Sequence, residues 1–373
     1  MNKKIALFLS REDVNTGRQL NVDYAKTMSI FFMILVHVMM HPYYYDLETG
    51  FGAIVYSHLG DYLSAPLFVI SMGLGLAYTR FPDSKSIIKR GIKLLILAYV
   101  LNIARNILPA IFSLVKCNFN GFDEEVVTWF LIGDILQFAG LALITFGLLK
   151  KTKLSPLSIF TISLIINLVI TFVPNIYTES RFVGQFIGLL TPIFYYGEIQ
   201  ACFPLLTWYV FVAFDYLFGL VIRKIKNLDK FYLYSLIIGI VLYLIFFNIE
   251  QITKYTYTKA GYDYAEYYNT IIVALYSIGS TMTVYSIFYF LNKFTPKFLN
   301  EFCYKTSAAI NEIYIISWII IRNVFFVYFG CIYPDTYPLW IYLVSSFIIT
   351  VVSIILGWKW REYKQNKRNS IVS

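Results

Sequence analysis

Asp23, Lys26 and His37 lie in one largely apolar run, DYAKTMSIFFMILVH. On a helix, Lys26 falls within about 20° of His37 around the axis and Asp23 within about 40°. The three therefore form one stripe, with His37 about 21 Å along the axis from Asp23. Ionisable groups inside a membrane span are costly, and are candidates for function by default. Imidazole is the side chain best suited to act as a general base near neutral pH. Hydrogen bonding to a neighbouring helix would account for His37 as well. The other two histidines, His41 and His58, fall in or beside the connection that follows. His41 lies at i+4 from His37 and could share a metal ion with it and His58. No acidic residue has ligand-like spacing, so no metal is expected.

A second group is SIIKRGIKLL, where Lys89, Arg90 and Lys93 stand at the start of an apolar run. A basic cluster at a helix start suits an anionic cofactor. The placement of positive charge on one side of a membrane would also put it there. Further polar groups sit in later runs: Asp134 and Gln137, Asp215, then Asn311, Glu312 and Arg322. Interhelical hydrogen bonds could explain each singly; together they suggest a polar interior.

The elements that must position these groups are membrane-spanning helices. The 373 residues are 58% hydrophobic and 14% charged, against roughly 25% charged in soluble domains. Apolar runs occur at roughly 24–41, 59–79, 92–112, 130–149, 155–174, 202–222, 230–248, 269–291, 306–329 and 338–358. Most are long enough to cross about 30 Å of hydrocarbon as a helix. The alternation of short strands expected of a barrel is absent. The expectation is an all-α polytopic protein with about ten spans.

Charge orients them. The chain has 31 Lys and Arg and a net charge of +9. With both termini inside, the outer connections carry only Lys116, Arg181, Lys254 and Lys259, and the spans Lys26, Arg105 and Arg322. Every other basic residue falls on the inner side, as the positive-inside rule requires. Basic residues dispersed over many short loops argue against nucleic acid. The organisation read from this pattern is a cytoplasmic segment 1–23, a membrane domain 24–358 and a basic cytoplasmic tail 359–373. The tail suits contact with anionic lipid or disorder. No cleavable signal peptide precedes the first run. The outer connection 249–268 is rich in tyrosine and suits a membrane interface. Cys117, Cys202 and Cys331 fall near the outer face, where a disulfide is allowed but not required.

With these residues in view, the chain resembles the membrane acyltransferase superfamily. This comprises acyltransferase family 3 and bacterial relatives of heparan-α-glucosaminide N-acetyltransferase. The spacing of Asp23, Lys26 and His37 is similar to the family 3 opening. The block GDYLSAPLFVISMGLGLAYTR resembles its second-span signature through Asp61, Pro66, Phe68 and Gly73. GDILQFAGLAL, FPLLTWYVFVAFDYLFG and INEIYIISWII are similar to later blocks of the glucosaminide branch. Gln137, Trp208 and Trp318 are among the residues these blocks contain. In the first of them Phe138 stands where that branch has arginine.

The resemblance implies an acyltransferase, most naturally an acetyltransferase. It would move the acyl group from cytoplasmic acyl-CoA to a hydroxyl or amine of an extracytoplasmic glycan or lipid-linked glycan. His37 would be the essential base, with Asp23, Lys26 and Asp61 beside it among the catalytic residues. The glucosaminide branch instead has asparagine at the His37 position and its active histidine in the first outer loop, where His58, at a different spacing, is the nearest counterpart. The choice between His37 and His58 stays open, with His37 favoured. Lys89, Arg90 and Lys93 would contact the acyl-CoA phosphates. Asp134, Gln137, Trp208, Trp318 and Arg322 are the candidates for the acceptor. Direct transfer and an acyl-histidine intermediate are both open. The setting would be a bacterial plasma membrane, and a homo-oligomer is compatible with it. A transporter or flippase, or a non-catalytic sensor on the same scaffold, are the rival readings.

Overall fold

The computed structural model describes residues 8–39, 64–109, 111, 130–181, 183–195, 201–260, 268–325, 327 and 338–372. The helices are α1 (Leu20–Met39), α2 (Ala65–Ala77), α3 (Ser84–Asn102), α4 (Ile135–Leu149), α5 (Pro156–Phe172) and α6 (Leu205–Lys224). They continue as α7 (Leu228–Thr253), α8 (Tyr255–Ala260), α9 (Ile271–Leu291), α10 (Lys297–Ala308), α11 (Ile310–Ile320) and α12 (Leu339–Val372). A two-residue parallel pair, β1 (Ile176–Tyr177) with β2 (Phe194–Tyr195), is the one sheet among the described residues. The protein is nearly all helical, as its composition requires.

Among the described residues, six helices are long and apolar enough to cross a membrane. A seventh span exists if α10 and α11, bent by 73° at their junction, act as one. The other three apolar runs also form helices. α2 and α5 are short, and α3 opens with a lysine-rich first half that begins well before the apolar run. Local chemistry sets several ends. Ser155 caps α5 by accepting the Ser158 N–H at 3.0 Å, with Pro156 in the first turn. Asn227 caps α7 through the Lys230 N–H at 2.9 Å, and Lys254 closes it in a left-handed conformation (φ 50°).

The chain packs as two compact units. The first comprises Met1–Arg18, Val69–Val100 and Leu131–Phe290. In it, α2 lies on α6 at Gly73: a Cβ there would stand 2.6 Å from the Tyr216 amide nitrogen and would overlap the Val212 carbonyl oxygen. One residue on, the buried Asp215 carboxylate accepts the Leu74 N–H at 2.7 Å. Close backbone approach through glycine is how helices pack where lipid supplies no hydrophobic drive. The same device joins α3 to α4, where a Cβ on Gly91 would lie 2.6 Å from the Gly140 carbonyl oxygen. α7 turns most of its surface outward, with Ile237 52% and Ile252 81% exposed, the character of a lipid-facing helix.

Residues 8–15 of the first unit form a strap over the C-terminal end of α6. The Ser10 and Val14 N–H groups donate to the Lys224 and Arg223 carbonyls, each at 2.7 Å. Asn15 Nδ2 donates to the Ile222 and Ile225 carbonyls at 3.0 and 2.6 Å. Arg223 ties the strap down by pairing with Asp13 at 2.5 Å and donating to the Ala77 carbonyl at 2.8 Å. These bonds satisfy carbonyls that a helix end leaves open. Sequence alone reads this segment only as polar and basic.

The second unit comprises Gln19–Phe68, Leu101–Phe130 and Leu291–Ser373. Here α1 packs on α10, α11 and α12. Tyr24 Oη donates to Asn300 Oδ1 at 2.9 Å, and Thr27 Oγ1 to the Cys303 carbonyl at 3.3 Å, fixing α1 against α10. α12 has 34 residues, about 51 Å of helix, well beyond the roughly 30 Å of a hydrocarbon core. The basic tail is therefore a helical continuation. It is anchored by Lys364, which donates to the buried Glu312 at 2.8 Å.

Candidate active site

His37 lies in the last turn of α1, half-buried. Its ring sits 4.2 Å, centroid to centroid, from the indole of Trp318 on α11, tilted by 43°. The guanidinium carbon of Arg105 lies 4.5 Å from the centroid of the same indole, a cation–π contact. Trp318 Nε1 is buried and has no hydrogen-bond partner among the described residues. Tyr314, one turn earlier on α11, meets Trp318 edge-on at 6.4 Å and Phe68 at 5.9 Å. An aromatic wall thus holds one side of the imidazole.

Both arginines of this region sit on π-helical turns. Arg105 lies in Ile103–Ile107 and Arg322 in Ile321–Phe325. A π turn displaces backbone carbonyls from the regular ladder and commonly marks a functional position. Here those carbonyls are taken up by side chains: Arg322 Nε donates to the Arg105 oxygen at 3.2 Å and Asn323 Nδ2 to the Ala104 oxygen at 2.8 Å. Arg105, 4% exposed, donates from Nη2 to Asn102 Oδ1 at 2.9 Å. Asn102 in turn donates to the Phe130 carbonyl at 2.8 Å. A histidine, an indole and two guanidiniums therefore gather in one unit. Such a set can accept a proton and stabilise developing negative charge.

Asp23 and Lys26 occupy the opposite end of α1. Asp23 is buried in the first helical turn, where a carboxylate complements the helix dipole. At about 21 Å of helix from His37 it cannot touch that ring. His41, His58 and Asp61 lie outside the described residues, as do Cys117 and Cys331.

The first unit carries the remaining candidates. Asp134 and Gln137 form a capping box at the start of α4: Asp134 Oδ1 accepts the Ile135 N–H at 2.6 Å, and Gln137 Oε1 accepts the Asp134 N–H at 3.1 Å. Trp208 is 3% exposed and packs edge-on against Phe203 and Phe211 at 4.6 and 5.4 Å. On α3, Arg90 turns toward Thr79, with Nη1 3.4 Å from Oγ1. Lys89 and Lys93 are exposed.

Asp83 caps α3 by accepting the Ser86 N–H at 2.8 Å. This bond, with the Ser86 hydroxyl, holds its carboxyl below the usual carboxylate pKa. A depressed folded-state pKa contributes stability that is complete above the unfolded value, about 3.9. That contribution is lost as pH falls through the lower folded value. Asp83→Asn keeps an acceptor without the titration, so its melting temperature is expected to change less than wild type's between pH 5 and pH 3. Scanning calorimetry at the two pH values checks this.

The residue most clearly missed from sequence is Arg105, visible there only as a charge inside a span. Its partner Trp318 is more than two hundred residues away, and no local motif connects them.

Residues 18–231 match the family model for the catalytic region of heparan-alpha-glucosaminide N-acetyltransferase. No curated protein and no solved structure matches the chain. The matched segment is more than half of the 373 residues and includes His37, Arg90 and Arg105. The chain belongs to the heparan-alpha-glucosaminide N-acetyltransferase catalytic family.

Proposed function

We propose that the protein is a membrane acetyltransferase that moves an acetyl group from cytoplasmic acetyl-CoA to a hydroxyl or amine of an extracytoplasmic glycan or lipid-linked glycan. The observation that carries this reading is His37 against Trp318, with Arg105 on the same indole, in a chain of this family. His37 takes the proton from the acceptor as its oxygen or nitrogen attacks the thioester carbonyl. The carbon–sulfur bond then breaks and the CoA thiolate leaves, taking up a proton. Arg105 and Arg322 supply positive charge near the base, and Trp318 sets the imidazole's orientation. Asp23 and Lys26 extend the polar stripe of α1, and His58 and Asp61 complete the catalytic set.

The topology that goes with this reading has about ten spans, including α2, α3 and α5, and both termini in the cytoplasm of a bacterium. Arg90 is the proposed donor contact, because it alone of Lys89, Arg90 and Lys93 turns toward another segment.

Acetyl-CoA binding to the purified protein tests the reading. Wild type is expected to bind at micromolar to submillimolar concentration, measured by isothermal titration calorimetry. Arg90→Ala removes one charge-assisted bond to phosphate, so affinity is expected to fall roughly 10- to 100-fold. Absence of binding by wild type at millimolar acetyl-CoA would sink the acetyltransferase reading.

A further inference from the structure

We propose that Lys89 and Lys93 hold the phosphate of an anionic phospholipid, with an acyl chain laid along Ile92, Ile96 and Val100. The helical rows of α3 carry the argument. Its packed face is Ile87, Gly91 and Ala98, all buried, with Gly91 against the Gly140 backbone. Lys89 stands about 180° from Ala98 around the helix, and Lys93 within about 40° of Lys89. Both lysines are exposed on the side facing away from α4. They are one turn apart, about 6 Å along the axis.

The same stripe continues as Ile92, Ile96 and Val100, which are 48%, 61% and 55% exposed. Two ammonium groups therefore sit above a continuous apolar strip, the head-over-tail pattern of a phospholipid. Lysine stems lie readily along such a strip with the charge lifted to the headgroup level. Neighbouring charge reinforces the site. Gly147 of α4 packs against Ser84 and Ile88 of α3, and Lys150 Nζ donates to the Pro82 carbonyl. This places the exposed Lys151 and Lys153 at the same end of the helix pair. Clustered Lys near a membrane surface favours lipids of net negative charge. Arg90 is about 100° from Lys89 and about 60° from Lys93 around the helix, turned toward Thr79. The lipid site thus stands independently of donor binding.

The test uses the full chain purified in detergent, offered equal phosphatidylglycerol and phosphatidylcholine, with retained lipid read by native mass spectrometry. Wild type is expected to retain phosphatidylglycerol at least fivefold over phosphatidylcholine. Lys89→Gln/Lys93→Gln is expected to lose that preference, while Lys89→Arg/Lys93→Arg and Arg90→Gln keep it. Millimolar inorganic phosphate is expected to leave the lipid in place. A double glutamine variant that retains phosphatidylglycerol as wild type does would overturn the proposal. Displacement of the lipid by inorganic phosphate would overturn the role of the apolar strip. A loss of acetyl-CoA affinity with lipid retention unchanged would return the two lysines to the donor. The melting temperature in phosphatidylcholine alone verifies that each variant is folded.

Discussion

Replacing His37 by alanine is expected to lower turnover roughly 10²- to 10⁴-fold, the usual worth of a positioned general base. The donor should still bind with an affinity within about twofold of wild type, since the change leaves Arg90 untouched. A role limited to packing predicts something else. His37→Gln preserves much of the side-chain volume and a hydrogen-bonding end, so a structural histidine would be rescued by it. A base would not, because an amide takes no proton near neutral pH. Steady-state acetyl transfer to an acceptor sugar, read together with acetyl-CoA titration, separates the two. Activity of His37→Gln near wild type would remove His37 from the chemistry and leave His58 as the histidine to test.

The largest effect on folding is expected from Gly73→Val. The first added carbon would overlap the Val212 carbonyl and sit 2.6 Å from the Tyr216 nitrogen. Both are backbone atoms of α6, so neither can swing aside as a side chain could. α2 and α6 would have to separate, weakening the bond from Asp215 to the Leu74 N–H and leaving a buried carboxylate poorly satisfied. The expected cost is at least about 3 kcal/mol, a melting-temperature drop on the order of 10 °C. Gly75 supplies the control. It is exposed, and a Cβ there meets nothing within 4 Å. Gly75→Val in the same helix should shift the transition little, and equal losses at both positions would refute the packing argument.

The apolar runs were legible because lipid and protein interior impose the same composition on a helix wherever it sits. Hence α6, α7 and α9 fall within a few residues of the expected runs. Direction was not legible. Hydropathy registered Lys89, Arg90 and Lys93 as one cluster; all three are exposed, but of the three only Arg90 reaches a neighbouring segment, at Thr79. Asp134 and Gln137 drew notice as polar groups inside an apolar run, whereas their spacing of three is that of a capping box at the start of α4. The bend at Ala309 and the π turns carrying Arg105 and Arg322 left no mark in composition. They depend on partners supplied by distant segments.

The strap at residues 8–15 has a consequence for biosynthesis. Asn15 and the Ile225 carbonyl that it bonds are 210 residues apart in the chain. At about 5–20 residues per second, the ribosome needs on the order of 10–40 s after making Asn15 before that carbonyl exists. Throughout that interval the leading segment emerges with its donors facing water or lipid headgroups. α2, whose Ala77 carbonyl also accepts from Arg223 146 residues further on, waits about 7–30 s for this contact. Closure of the strap is therefore a late event that reports that α6 has been completed and seated, and a nascent chain arrested before residue 222 cannot make it.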